Sequence, residues 1–469
     1  MEPQLHVRPN VLPPWPYISW SPDCDPNRPR ILGINPWIHD FAAYNFWLRP
    51  VGLLSCLDML RASGASIALL DCLSPTWADS PWPKPKPFGN GRFPKTHLPT
   101  PEKLFCSERV FSRYGLDIDM AAGALKQLDP APDCVMVTCP MTYWYPGAFE
   151  AIRLAKSLWP TVPVVLGGIY ATLCPGHAEK LSRADLVIQG PLEASSNWNA
   201  FWSLLRLPAP SLPDFPAFQL AHDVYSAPDF APVLGSRGCP FSCRYCASNQ
   251  LFPNFHQRDE QSLIQDFSHE YSRFVRDFAF FDDALLFKPD TWLIPLLDRC
   301  AELPEPVRLH TPNALHVRFL SKELCQKLKA AGLTTIRLGV ETADFSTPNH
   351  SKITRDEFLN GIALLREAGF PPEQIGTYIL YGLPGQSEEE LLHTIRTVRA
   401  LGLTPYLAFY SPIPGTPLFE EALEISPFPL AEEPLFHNHS LWPCVPGGFS
   451  WEHRNTLRKA MYSDYAEFV

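Results

Sequence analysis

Short apolar runs alternate with amphipathic stretches twice along this chain, and a proline-rich segment separates the two series. That pattern restricts the fold more than any other feature, because strands alternating with helices require a parallel sheet covered by helices. In the first series, residues 30–35 (RILGIN) read as a strand, 52–63 as a helix with Gly64 placed to end it, and 66–70 as a second strand. Residues 133–138, 162–166 and 185–189 are further strands, with a helix over 148–158. Ligands in such sheets lie beyond the carboxyl ends of strands. That places residues 140–147 (PMTYWYPG) and 167–178 at the binding edge. Residues 74–101 form an insertion too rich in proline and lysine to carry a sheet. Residues 208–232 read as an extended inter-domain linker. Beyond it, strand-like runs at 278–281, 307–310, 335–340, 375–381 and 406–410 are spaced by helices such as 322–331 and 388–401. Repeats of that kind favour a full or partial (βα) barrel. The tail is irregular from residue 427 until a helix over 451–466.

The expected fold class is therefore α/β, a Rossmann-like parallel-sheet domain followed by a full or partial TIM-type barrel. The expected division is 1–28 as an N-terminal extension, 29–206 as the Rossmann-like domain, 207–230 as linker, 231–420 as the barrel and 421–469 as a C-terminal extension.

Composition narrows the function classes. The 39 basic and 49 acidic residues give a net charge of −10, which argues against a nucleic-acid surface or an anionic-membrane surface. The first ten residues are polar and lack the apolar core of a signal peptide. Residues 158–176 carry no charge, but Pro160, Pro163, Gly167, Gly168, Pro175 and Gly176 interrupt them too often for a membrane span. Thirteen cysteines, an odd number thinly spread, do not make a secreted disulfide framework. A cytoplasmic location, where thiols stay reduced, is the expectation.

Three of those cysteines carry chemistry. In residues 235–249 (GSRGCPFSCRYCASN), Cys239, Cys243 and Cys246 form a C-x3-C-x2-C array just after an apparent strand. Three neighbouring thiolates can hold three corners of a [4Fe–4S] cube and leave the fourth iron open to a substrate atom. The same spacing also suits a structural zinc knot with His256 as fourth ligand. Gly238 and Pro240 would shape a loop around a bulky cluster, and Tyr245 would add an aromatic wall. The other cysteines, such as Cys72, Cys134 and Cys325, lie in apolar runs where buried thiols are the default.

The array resembles the cluster loop of the radical S-adenosylmethionine (SAM) superfamily, and downstream segments resemble that family in order. These are residues 280–283 (FFDD), 338–342 (LGVET), 381–386 (YGLPGQ) and 412–416 (PIPGT). The likeness covers residues 230–420 closely and 28–205 more loosely, the latter resembling the subgroup with an N-terminal cobalamin-binding-type domain. The resemblance implies a [4Fe–4S] cluster, SAM as cofactor, and reductive cleavage of SAM to a 5′-deoxyadenosyl radical that abstracts hydrogen. It assigns Tyr245, Asp282, Asp283, Glu341, Gly382 and Pro384 to the SAM site, with an aspartate for the SAM ammonium and Glu341 for ribose hydroxyls or the amino group. Asp282 and Asp283 also read as a solvated loop, and Glu341 as an ion pair with Arg337 or another basic side chain.

Cobalamin is a further expected cofactor, with Gly167, Gly168 and Gly190 letting backbone approach a corrin. The D-x-H-x-x-G motif of methionine-synthase-like domains is absent, since neither His39 nor His177 has that context. Tyr143, Trp144 and Tyr145 would cover a planar ligand or pack at a domain interface. The leading function is cobalamin-dependent methyl transfer to an unactivated centre. A rearrangement or ring-forming radical SAM enzyme without cobalamin is the nearer rival, and a zinc-stabilised binding protein the rival of a different class. The substrate, a small molecule or peptide, is not legible. An electron donor such as flavodoxin or ferredoxin is the expected partner.

Overall fold

The computed structural model describes residues 18–21, 28–74, 82, 90–104, 109–212, 219–226, 228–343, 345 and 352–462. The first ten residues and the 463–466 end of the expected last helix lie outside them.

Five strands, β1 (Arg30–Asn35), β2 (Ser66–Asp71), β3 (Cys134–Thr138), β4 (Val164–Gly167) and β5 (Leu186–Val187), form an all-parallel sheet in the order β5-β4-β3-β1-β2. The central β1 is buried from Ile31 to Asn35, as expected of a strand covered on both faces. The chain reverses direction across the sheet between β1 and β3, which makes their carboxyl ends the switch point. Helix α1 (Val51–Ala62) packs so closely that a Cβ on Gly33 would lie 2.9 Å from Leu57. Strand β5 is only two residues long, shorter than the 185–189 run suggested. Helix α2 (Tyr145–Leu158) starts three residues before the expected position, since Pro146 is tolerated in a first turn whose N–H groups have no helical partner.

Two expectations need correcting. The 74–101 insertion does carry sheet: Asn90–Arg92 pairs with Tyr44–Phe46, and Lys95–His97 pairs with Ser112–Tyr114, both antiparallel. Three-residue edge strands accept flanking prolines and outward lysines that a central strand could not. Residues 75–81 and 83–89 of that insertion lie outside the described residues. The 208–232 linker is not a free extended spacer either. Gln219 donates its backbone N–H to Asp58 at 2.7 Å, and Tyr225 donates its hydroxyl to Asp71 at 2.6 Å. Arg49, wholly buried, pairs with Asp229 at 2.5 Å. Residues 231–232 already belong to the next strand, while 213–218 and 227 lie outside the described residues.

The second sheet has six parallel strands in sequence order: β6 (Ala231–Val233), β7 (Asp277–Phe280), β8 (Arg308–His310), β9 (Leu333–Glu341), β10 (Ile375–Tyr381) and β11 (Thr404–Phe409). Strands β6 and β11 are its two edges, so the barrel is partial. Helices α3 (Glu260–Ser272), α4 (Leu293–Ala301), α5 (Lys322–Ala330), α6 (Arg355–Glu367) and α7 (Glu388–Ala400) follow the strands. Alternation sorts the strand residues: Ile336, Leu338 and Val340 of β9 join the core under the helices, so Thr335, Arg337, Gly339 and Glu341 face the lumen. Helix α6 begins with a reciprocal capping box between Thr354 and Glu357, a signal present in the sequence.

The C-terminal segment folds as short 3-10 turns (Pro434–His437, His439–Leu441) and a helix at Trp451–Tyr462. It packs back on the first sheet. Asn438 donates to Asp40 at 2.8 Å, His437 meets Thr142 at 3.0 Å, and His439 meets Tyr143 at 2.8 Å. No helix of the described residues is long and apolar enough to cross a membrane.

Candidate active site at the barrel mouth

The cysteine loop leaves the carboxyl end of β6 and is tied at its base. Ser236 and Arg237 pair antiparallel with Gln257 and His256, closing residues 238–255 into a loop. Gly235 has no room for a side chain, since a Cβ there would lie 2.2 Å from the Trp292 ring. Gly238, at φ +79°, crosses so close to the Asn254 carbonyl that a Cβ would stand 2.7 Å from it. Asn249 spans the loop, donating to the Phe241 carbonyl at 2.9 Å. Across the mouth, the Leu418 N–H donates to the Arg244 carbonyl at 3.1 Å and Arg244 pairs with Glu421 at 2.5 Å. The loop therefore bridges the ends of β6 and β11, closing at the mouth what the sheet leaves open.

Cys239 and Cys243 are half-buried, and Cys246 is exposed. Burial pushes the Cys239 thiol up to about 11, so loading a metal must displace its proton. Among the described residues no three His, Cys, Asp or Glu side chains gather as a single-ion site does. A zinc ion would need its ligands to converge on one point, whereas a cube takes one thiolate per iron and keeps them apart. His256, the expected fourth zinc ligand, sits exposed on the short strand pair at the loop's base. The residues present fit a cluster. Phe241, Phe255, Phe287 and Phe319 make ring contacts with one another beside the loop and cover it on one side.

The aspartate pair divides. Asp282 is buried and accepts from the Gly235 N–H at 3.1 Å and the Ser236 hydroxyl at 2.6 Å, so it anchors the base of the cysteine loop and does not face the mouth. Burial pushes its carboxyl up to about 7. Asp283 stands exposed beside the loop.

Glu341 ends β9 at φ +63°, a left-handed conformation uncommon for glutamate, and the register between β9 and β10 shifts there. A bulge of this kind re-aims a side chain. The carboxylate is buried and pairs with Lys352 at 2.5 Å, not with Arg337. Burial alone would lower the Lys352 ammonium, but Glu341 overrides it and holds it raised. Gly339 makes the space, because a Cβ there would lie 2.5 Å from the Lys352 nitrogen and 2.8 Å from Glu341. Tyr245 bonds to both Cys243 and Glu341, linking the loop to this pair. Lys352 was missed from the sequence, since nothing in the spacing points to it. At the end of β10, Gly382 (φ +83°) donates its N–H to Gln386 at 2.8 Å, and Pro384 is buried.

Deeper in the lumen lies a buried ring stack. Trp47 stacks on His310 with ring centroids 4.0 Å apart, and His310 is held by Asp277 and Thr335, each at 2.9 Å. Buried rings in that position help to exclude water from the lumen.

At the first sheet, the switch point is filled. A Cβ on Gly147 would lie 1.9 Å from the Trp37 carbonyl, so α2 abuts the loop after β1 directly. Tyr143 bonds to His439, Trp144 donates to Asp40 at 2.7 Å, and Tyr145 donates to Glu433 at 2.9 Å. Tyr143 and Tyr145 thus pack against the C-terminal segment, whereas Trp144 is held within the first domain. Gly168 (φ +93°) is a tight turn against Cys139, but Gly167 and Gly190 face open space at the ends of β4 and β5. That corner leaves room for the close approach of a ligand. A cavity of about 490 Å³ lies elsewhere, outside β6 between α1 and α3, and does not include the cysteine loop.

Residues 233–398 match the family model of the Radical SAM superfamily. A protein of Pyrococcus horikoshii described as an uncharacterized methyltransferase is 24% identical over 339 residues, which cover 64% of this chain and 71% of that protein. The anaerobic magnesium-protoporphyrin IX monomethyl ester cyclase of Cereibacter sphaeroides is 25% identical over 343 residues, and the match spans about half (54%) of it and 64% of this chain. The fold is similar to that of the radical SAM methyltransferase TsrM from Kitasatospora setae, solved with cobalamin and a [4Fe–4S] cluster. The TM-score is 0.60 at 15% identity, covering 86% of this chain and 76% of that one.

Proposed function

We propose that the chain, whose residues 233–398 match the Radical SAM superfamily model, is a radical SAM enzyme in which Cys239, Cys243 and Cys246 hold a [4Fe–4S] cluster whose fourth iron takes SAM. The observation that carries the reading is the cysteine loop itself, braced at its base by Asp282 and across the mouth by the 418–421 segment. When bound, these cofactors supply one-electron cleavage of SAM to methionine and a 5′-deoxyadenosyl radical. The protein's part is to position and to exclude. Glu341, Tyr245 and Lys352 form a charged bracket beside the loop, suited to polar groups of SAM. The Gly382–Pro384 turn gives backbone a close approach at the next strand end, and Asp283, exposed and hydrogen-bonded to Ser248, is the carboxylate suited to meet an ammonium. The Trp47–His310 stack helps to exclude water from the lumen, where a radical would otherwise be quenched.

We infer methyl transfer as the reaction, with a cobalamin at the Gly167/Gly190 corner providing the methyl group. A relative named as a methyltransferase and the likeness to TsrM support this. The filled switch point and the engaged Tyr143–Tyr145 favour the second reading, in which the first domain braces the barrel and the radical rearranges or cyclises its substrate without cobalamin. A reductant such as a flavodoxin or ferredoxin completes either scheme. Anaerobic reconstitution tests both. Iron and sulfide near four per chain, with 5′-deoxyadenosine formed from SAM and dithionite, is the expected result. Cobalt retained after growth with cobalamin supports methyl transfer, and a cobalt-free active enzyme leaves the second reading. Zinc at one per chain and no 5′-deoxyadenosine would sink the proposal.

A further inference from the structure

We propose that Arg337 is the anion-binding residue of a substrate site in the barrel lumen, and that the substrate carries a carboxylate or phosphate beside a planar, unsaturated body. The inference rests on the radical SAM reading, because it takes the lumen below the mouth as the place where substrate lies.

Five arginines are less than one-tenth exposed among the described residues: Arg49, Arg113, Arg237, Arg258 and Arg337. The first four each have a carboxylate, respectively Asp229 at 2.5 Å, Glu150 at 3.0 Å, Glu193 at 2.5 Å and Asp266 at 2.8 Å. Arg337 pairs with no carboxylate of the described residues. Its Nη1 donates to the carbonyl of its own neighbour Ile336 at 2.8 Å, and its Nε has no hydrogen-bond partner among them. A buried guanidinium without a counter-charge is costly, and no sheet geometry requires a cation there. Glu341, two lumen positions further up β9, is already neutralised by Lys352 and does not serve.

The surroundings are shaped for a ligand group. The guanidinium lies 4.3 Å from the Tyr406 ring centroid and 5.9 Å from that of Phe46, which offsets part of its cost and orients its plane. Gly376 leaves the room, since a Cβ there would stand 2.7 Å from both Arg337 Nη1 and Tyr406. Tyr378, the β10 partner of Gly339, adds a third ring; its hydroxyl donates to the Pro312 carbonyl at 3.0 Å and accepts from Arg337, a neutral partner that supplies no counter-charge. A fork of donors set among aromatic faces matches an oxyanion bonded in bidentate fashion, with a flat body against the rings. With its anion held there, a substrate's other end points up the lumen toward the cysteine loop.

The test uses the full-length, cluster-loaded protein and three probes: phenylacetate, phenyl phosphate, and phenylacetamide as the uncharged counterpart. Anaerobic titration calorimetry is expected to show at least tenfold tighter binding of one anion than of the amide. Which anion binds distinguishes a carboxylate from a phosphate. Arg337→Gln is expected to abolish the preference and Arg337→Lys to keep part of it, with iron content and melting temperature reporting that each variant is folded. Should the glutamine variant lose its cluster, the lysine variant and the wild-type preference decide. Equal binding of anion and amide, or no binding of either anion, overturns the proposal, as does a preference that survives Arg337→Gln. SAM cleavage without anion preference defeats this inference alone. Arg337-dependent preference without SAM cleavage defeats the radical SAM reading and leaves the anion site standing.

Discussion

Replacing Lys352 by methionine keeps the stem and removes the ammonium from a pair whose side chains are only 15% and 7% exposed. Glu341 then remains as a buried carboxylate near Cys243, in a backbone conformation that gives it no easy way out. Breaking a buried pair from one side costs about 3–5 kcal/mol, far above the ~0–1 kcal/mol of an exposed pair. The same figure emerges as a non-additive cycle. Glu341→Gln alone strands the ammonium, whereas the double variant loses both charges and should recover at least about 2 kcal/mol relative to the sum. Urea unfolding followed by circular dichroism, with the slope unchanged, reads these differences. Glycine at 339 supplies an independent check, since Gly339→Ala places a methyl against the same pair. A Lys352→Met variant within 1 kcal/mol of wild type, or additive single losses, would refute the claim that the pair is buried and coupled.

Gly147→Ala should destabilise the protein by about 1–3 kcal/mol, because a methyl against the Trp37 backbone outweighs the ~1 kcal/mol gained in helix propensity; thermal melts measure it. Asp282 holds its proton up to about pH 7 when folded and about 3.9 when unfolded, so its contribution to stability falls as pH rises through that window. Asp282→Asn should flatten that part of a stability–pH curve, and an unchanged curve would count against the burial. His437 is pushed down to about 4 by burial, so the unfolded chain takes the proton first as pH falls from about 6.5. Stability of the C-terminal segment is therefore present above pH 6.5 and lost toward pH 4, which limited proteolysis near residues 430–442 would show as faster cleavage.

The sequence made the strands easy to find because each is a short apolar run, and β1 and β10 fall where the pattern puts them. It made the cluster loop legible because three cysteines act locally, within eight residues. Side chains whose meaning depends on partners from other strands were not legible. Asp282 and Asp283 look alike in the chain, yet only the fold turns one inward to Gly235 and Ser236. Glu341 called for a basic partner, and proximity suggested Arg337. Alternation along β9 does place both in the lumen, but Lys352 reaches Glu341 from a later loop and leaves Arg337 without a carboxylate. Tyr143 and Tyr145 were ambiguous for the same reason, because their partners His439 and Glu433 lie almost three hundred residues away.

The central claim is that three cysteines hold a cluster with one iron left for SAM. Electron paramagnetic resonance of the dithionite-reduced protein, with and without SAM, tests it directly. The account predicts a [4Fe–4S]⁺ signal that changes shape when SAM is added, and no such signal in Cys243→Ala. A cluster signal indifferent to SAM, or one that persists without Cys243, would contradict it.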